Sequence, residues 1–174
     1  VAAQPVYAVA APSYAPPPAV AVAAPVVDPD ARVNADRTLL ELGASLSTAS
    51  FGLDGEVAFP LTPRVRFGVL LGLDYMWNGF ADISESDTLV HGGGELRYVG
   101  AGRNHVDLGI GGGAAHDTTY SGNGGFAVAR IALTHEMGRE SVSFALAPTV
   151  LFDFQGQYEN SFSVFASLRL GYAL

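Results

Sequence analysis

The sequence predicts an all-β chain: an eight-stranded antiparallel up-and-down transmembrane β-barrel preceded by a disordered Ala/Pro-rich arm. Three observations predict it. The chain ends on a strict alternation, with Phe162, Val164, Ala166, Leu168, Leu170, Tyr172 and Leu174 apolar and Ser163, Phe165, Ser167, Arg169, Gly171 and Ala173 between them. That is a strand with two unlike faces. Seven further segments carry similar alternation. Charges fall on the face opposite the aliphatic and aromatic stripe, the reverse of a soluble barrel with its apolar lumen and charged exterior. A strand that meets lipid on one side and a polar lumen on the other reads this way.

Residues 1–36 form the arm. Pro5, Pro12, Pro16, Pro17, Pro18, Pro25 and Pro29 stand among Ala and Val, with Tyr7 and Tyr14. Such a stretch favours extended polyproline II geometry and builds no core. It is expected to be a periplasmic spacer, or a docking arm for another envelope protein. Residues 37–174 form the barrel.

The first strand, about 38–48, sets Leu40, Leu42, Ala44 and Leu46 against Glu41, Gly43, Ser45 and Ser47. The second, about 53–61, sets Leu53, Val57, Phe59 and Leu61 against Asp54, Glu56 and Ala58. The third, about 64–77, carries Val65, Phe67, Val69, Leu71, Leu73, Tyr75 and Trp77 on one face and Arg64, Arg66, Gly68, Gly72 and Asp74 on the other. The fourth, about 88–98, sets Val90, Leu96 and Tyr98 against His91, Glu95 and Arg97. The fifth, about 105–115, sets Val106, Leu108 and Ile110 against His105, Asp107, Gly109 and Gly111. In the sixth, about 125–136, Phe126 and Val128 share one parity and Ile131 and Leu133 the other; a β-bulge near Ala129 would reconcile them. The seventh, about 141–154, sets Val142, Phe144, Leu146, Val150, Phe152 and Phe154 against Ser143, Ala145, Thr149 and Asp153. The eighth is the closing strand. Connections at 61–64, 99–104 and 137–141 are tight, with Pro63, Gly100, Gly102 and Gly138. Those at 78–87, 116–124 and 155–161 are longer and polar. Short turns on one side and long loops on the other suit a membrane barrel.

The closing strand, through Leu168, Leu170, Tyr172 and Leu174, resembles the assembly signal that ends bacterial outer-membrane barrels, although Leu174 stands where phenylalanine is usual. The region 38–174 resembles the small eight-stranded outer-membrane proteins of the OmpA transmembrane-domain and OmpX type. The likeness is architectural and covers about four-fifths of the chain. It implies residence in the bacterial outer membrane with both termini in the periplasm. It also implies contact with outer-membrane lipid and lipopolysaccharide, insertion by the barrel-assembly machinery, and a structural, adhesive or envelope-interaction role. A small porin-like channel and a lipid A-modifying enzyme are the alternatives.

An eight-stranded barrel is just wide enough for side chains to fill its lumen. The acids expected there are Glu41, Asp54, Glu56, Asp74, Glu95, Asp107 and Asp153. Their expected partners are Arg64, Arg66, Arg97, Arg169 and, register permitting, Arg130. The guanidinium fork suits bidentate carboxylate pairing, so a closed, ion-paired plug is expected. Interior glycines Gly43, Gly68, Gly72, Gly109 and Gly111 would leave room for these side chains. Tyr75, Trp77, Tyr98 and Tyr172 suit aromatic girdles at the membrane interfaces. On the outer face, pairing about Ala101–Gly102 would put Gly92 opposite Gly112, either a notch for a lipid chain or a partner's side chain, or simply relief from crowding.

Other chemistries find less support. His116 and Asp117, with Ser121 nearby, fall at the end expected for lipid A, but adjacent residues of a strand point to opposite faces, so no catalytic residue is assigned. The four histidines lack metal-ligand spacing, the glycine runs lack a following lysine, and no cofactor is predicted. With a net charge of −8 and no lysine, there is no basic patch for nucleic acid. The absence of cysteine is compatible with export. The apolar N-terminal tract is broken by prolines and cannot be a membrane helix. The chain reads as mature after signal-peptide removal, or as trimmed.

Overall fold

The computed structural model describes residues 34–48, 50–77, 86–119, 121–153 and 161–174, and for Trp77, Ser86, Asp153 and Ser161 the backbone only. The arm up to residue 33, the loop acids Asp82 and Glu85, and the Trp77 and Asp153 side chains lie outside the described residues.

Eight strands close into one barrel: β1 Leu39–Leu46, β2 Ser50–Thr62, β3 Val65–Trp77, β4 Ser86–Val99, β5 Asn104–Asp117, β6 Asn123–Met137, β7 Glu140–Asp153 and β8 Ser161–Ala173. Each pairs antiparallel with the next, and β8 returns to β1, from Leu39 opposite Ala173 to Leu46 opposite Ala166. Seven strands have 13–15 residues, longer than the 9–11 or so that a tilted strand needs to cross a bilayer. Closure leaves no sheet edge, the condition for backbone inside a membrane.

Both described chain ends and three short turns lie at one end of the barrel, the terminal end. The other four connections lie at the loop end. Gly138, at φ +71°, takes the first central position of the β6–β7 turn, where the hairpin geometry demands a positive φ that glycine adopts without strain.

The faces are inverted relative to a soluble protein. Leu42, Leu71, Ile110, Leu133, Phe162 and Leu170 are all more than 60% exposed on the outside. The largest fully buried side chains are Arg66, Glu56, Glu95 and Asn34. Outward tyrosines stand at both ends, Tyr75 toward the loops and Tyr98 and Tyr172 toward the termini.

Three sequence expectations are corrected. β6 has no bulge near Ala129: its register against β5 is constant from Asn104–His135 to His116–Asn123. On the β7 side the offset is the same on both sides of an interruption opposite Ala147 and Pro148, where proline has no N–H to give a ladder. Phe126 and Val128 therefore face inward with Arg130. The register irregularity lies instead between Pro60 and Thr62 of β2. Second, Arg64 is not a lumen residue. It belongs to the turn before β3 and is exposed, its Nη1 donating to the Tyr98 hydroxyl at 3.1 Å. Third, Gly92 stands opposite Ala114, and Gly112 opposite Gly94, because the β4–β5 connection is centred one residue later than expected. A β-carbon on Gly94 would lie 3.2 Å from the Phe67 ring, and one on Gly92 would lie 3.0 Å from Leu71. Neighbouring side chains thus lie against these glycines, which fits relief from crowding.

Candidate functional site

The inward residues of all eight strands meet in the lumen. Its terminal half is ionic, and Glu56 of β2 is the hub. One oxygen, Oε2, accepts from Arg97 Nη2 at 2.6 Å, from Arg169 Nη1 at 2.7 Å and from both Arg130 Nη atoms at 3.3–3.4 Å. Each arginine also reaches a second carboxylate. Arg97 Nη1 is 2.7 Å from Glu41 Oε2, Arg169 Nη2 is 2.5 Å from Asp54 Oδ2, and Arg130 Nη2 pairs with Glu95 Oε2. Arg97 Nε lies 3.6 Å from Glu95 Oε1. Guanidiniums from β4, β6 and β8 are thus interleaved with carboxylates from β1, β2 and β4. A charge buried in low dielectric is tolerable only when it is paired, and each charge of this network has an opposite charge beside it across the width of the barrel.

Room for the network comes from glycine. A β-carbon on Gly68 would overlap the Glu56 carboxylate, one on Gly109 that of Glu95, and one on Gly72 the ring of His91. Gly43 stands likewise beneath Asp54.

The other predicted lumen residues have separate partners. Asp107 accepts from Thr134 Oγ1 at 2.7 Å and lies 3.4 Å from His105 Nε2, and His105 Nδ1 meets the Gly102 carbonyl at 2.9 Å. Asp74 Oδ2 is 3.2 Å from His91 Nε2, and the His91 ring stands edge-on to Phe126 at 5.4 Å. Arg66 is buried in the lumen near the termini, where it donates to main-chain carbonyls: Nη1 to Arg37 at 2.8 Å and Nη2 to Asn34. Asn34 Nδ2 donates to the Gly138 carbonyl at 2.9 Å. The segment from Asn34 to Thr38 is thereby strapped to the terminal mouth. Sequence reasoning missed the strap, because Asn34 looks like the tail of the arm. It also left the buried Asp117 and Glu136 out of the lumen set, although they continue the inward parity of β5 and β6.

Above the ionic layer the lumen becomes amphipathic. A cavity of about 90 Å³ lies between Asp54, Arg130 and Arg169 on one side and Leu70, Phe126 and Phe165 on another. Leu70, Ala115 and Phe126 form a small buried apolar cluster beside it. This apolar wall explains why Phe126 and Val128 read from sequence as lipid-facing.

The residues considered for catalysis do not converge. His116 is exposed, with Nδ1 2.9 Å from Asn123 Oδ1, while Asp117 is buried and accepts from the Thr119 N–H at 2.7 Å. Among the described residues no group of three His, Cys, Asp or Glu side chains could hold a metal ion.

This architecture, a closed antiparallel eight-stranded barrel with an apolar exterior and ion-paired interior, is a transmembrane-type fold. The chain is similar to the N-terminal β-barrel domain of OprF from Pseudomonas aeruginosa, at 13% identity and a TM-score of 0.52, covering 80% of this chain and 98% of that one. It is also similar to a de novo designed transmembrane β-barrel, at 10% identity and a TM-score of 0.50, covering 80% and 96%. No family model and no curated protein matches the sequence. At these identities the likeness establishes the fold alone, an all-β closed eight-stranded antiparallel barrel.

Proposed function

We propose that the chain is an integral outer-membrane β-barrel with a structural, adhesive or envelope-interaction role, its lumen plugged by arginine–carboxylate pairs. The observation that carries this reading is the inversion of its faces, with exposed leucines outside and buried Glu56, Glu95, Arg66 and Arg97 inside. In water that exterior would be a continuous apolar surface far beyond what a soluble monomer exposes; in lipid it needs no other cover. Both termini would lie in the periplasm, where the arm could reach another envelope protein. Acyl chains of outer-membrane lipid and lipopolysaccharide would meet the outer wall, and the closing strand would be read by the barrel-assembly machinery.

The Glu56 hub, which fastens three strands across the lumen to a fourth, supports the plug over a porin-like channel. Lipid A modification receives no support from the opposed burial of His116 and Asp117.

Refolding and conductance test the reading. The barrel is expected to fold only in detergent or lipid, to migrate anomalously on unheated gels, and to give no steady large conductance in planar bilayers. A monomeric β-rich form in plain buffer would overturn the membrane assignment. Steady large conductance would replace the plug with the channel.

A further inference from the structure

All nine basic residues are arginines, and the distribution of the eight described ones along the barrel axis is one-sided. Arg66, Arg97, Arg130 and Arg169 face the lumen. Arg64, Arg103 and Arg139 each occupy the last position of a terminal-end turn, directly before Val65, Asn104 and Glu140, the first residues of β3, β5 and β7. The same backbone contact holds each of them. Val99 N donates to the Arg64 carbonyl at 2.8 Å, Glu136 N to Arg103 at 2.9 Å, and Ala173 N to Arg139 at 2.7 Å. Each arginine thus extends a ladder by one rung onto the following strand, so its main chain is fixed while its side chain is exposed.

The three positions recur at alternate strands around the rim. None makes an ion pair with another described residue. Arg64 also shows which way such a side chain can turn: its Nη1 is bonded to the hydroxyl of Tyr98, an outward tyrosine at the edge of the apolar band. Arg37 lies at the same rim, with exposed Asp36 and Glu140 and the buried Glu136, giving four arginines to three acids, two of them exposed. The loop end is the opposite. Its strand ends and connections carry Asp82, Glu85, Asp87, Asp117, Asp153 and Glu159 and no arginine or lysine.

We propose that this rim binds the phosphodiester headgroups of anionic phospholipid, with Arg64, Arg103 and Arg139 as the contacts. The chemistry is matched: a guanidinium presents paired donors to phosphate oxygens, and basic side chains beside a membrane are attracted to anionic headgroups. The inference rests on the membrane reading. It adds that the leaflet at the terminal end supplies the acidic lipid, and that the loop end offers no arginine or lysine to phosphate there.

The test uses the full chain reconstituted in vesicles of equal parts phosphatidylglycerol and phosphatidylcholine, with a trace of either lipid spin-labelled. The motionally restricted fraction reports lipid selectivity. The wild type is expected to prefer phosphatidylglycerol by about fivefold per headgroup engaged, the equivalent of the ~1 kcal/mol that one surface arginine contributes. The preference should shrink with salt, survive added inorganic phosphate, and fall to parity in the Arg64→Gln/Arg103→Gln/Arg139→Gln variant. Asp117→Asn, at the other end, should keep it. Equal restriction of the two lipids by the wild type, or an undiminished preference in the triple variant, would overturn the proposal. Competition by inorganic phosphate would make the rim a free-phosphate site and remove the lipid from it. Failure of the wild type to insert into either lipid would instead sink the membrane reading, and this inference with it.

Discussion

The carboxylate of Glu56 occupies the space that a β-carbon on Gly68 would need. The two residues lie on adjacent strands, β2 and β3, and the carboxylate there collects three guanidiniums. Gly68→Ala should therefore act on the ion network rather than on backbone freedom. Overpacking of this kind costs about 1–3 kcal/mol, measured as a lower urea midpoint for the detergent-folded barrel. An alanine variant as stable as the wild type would show that Glu56 can move aside freely.

Arg97 and Arg64 make a discriminating pair. Arg97 is buried between Glu41, Glu56 and Glu95, whereas Arg64 is exposed. Arg97→Ala leaves carboxylates uncompensated and is expected to lose about 3–5 kcal/mol. Arg64→Ala should stay within about 0.5 kcal/mol, as surface changes generally do. Equal losses would contradict the division of the arginines between lumen and rim.

The parity of β6 predicts a loss at each face, for a different reason. Ala129 faces outward, so Ala129→Arg places a charge on the apolar wall and should cost about 2–4 kcal/mol near mid-membrane. Phe126 faces inward, and truncating it to alanine would enlarge the existing cavity, with a loss of up to about 3–5 kcal/mol expected for a buried phenylalanine. Tolerance of arginine at 129 would return the bulge to consideration.

The strap predicts where proteolysis stops. Sequence alone would place the cut before about Asp36. With Asn34 buried and its carbonyl bound by Arg66, the protected fragment should begin at or before Asn34, since cleavage favours exposed segments. N-terminal sequencing of the resistant core reads this directly. In Arg66→Ala the cut should move past Arg37, because the two carbonyls lose their donor.

Alternation carried most of the fold. Leu168 and Leu170 flank Arg169, Leu40 and Leu42 flank Glu41, and a two-residue period with one charged face has few other solutions. It failed where a face changed character along its length. Phe126 and Val128 share the inward face of Arg130, yet they border an apolar stretch of lumen, so their hydropathy pointed the wrong way. Arg64 failed for a different reason: it has the inward parity of Arg66, but the chain has already left the barrel wall at the turn. The site was legible as composition, acids and arginines on one face. That Glu56 is the hub was not legible, because it depends on which residues stand level across the barrel, and hence on the stagger of all eight strands. The glycines gave the best hint, since Gly43, Gly68, Gly72 and Gly109 mark where long side chains cross.

The seam between β1 and β8 has a consequence in time. β1 is the shortest strand, eight residues, and its outer partner begins at Ser161. Leu174 N–H donates to the Thr38 carbonyl at 3.0 Å, so the seam is fastened by the last residue against the first rung. Every other pairing joins strands adjacent in the chain and can form locally. This one brings together positions separated by 120 to 134 residues, the entropically dearest contact in the molecule. Seven hairpin pairings can be in place while an open edge still waits, and the wall is not sealed until the C-terminal strand meets β1.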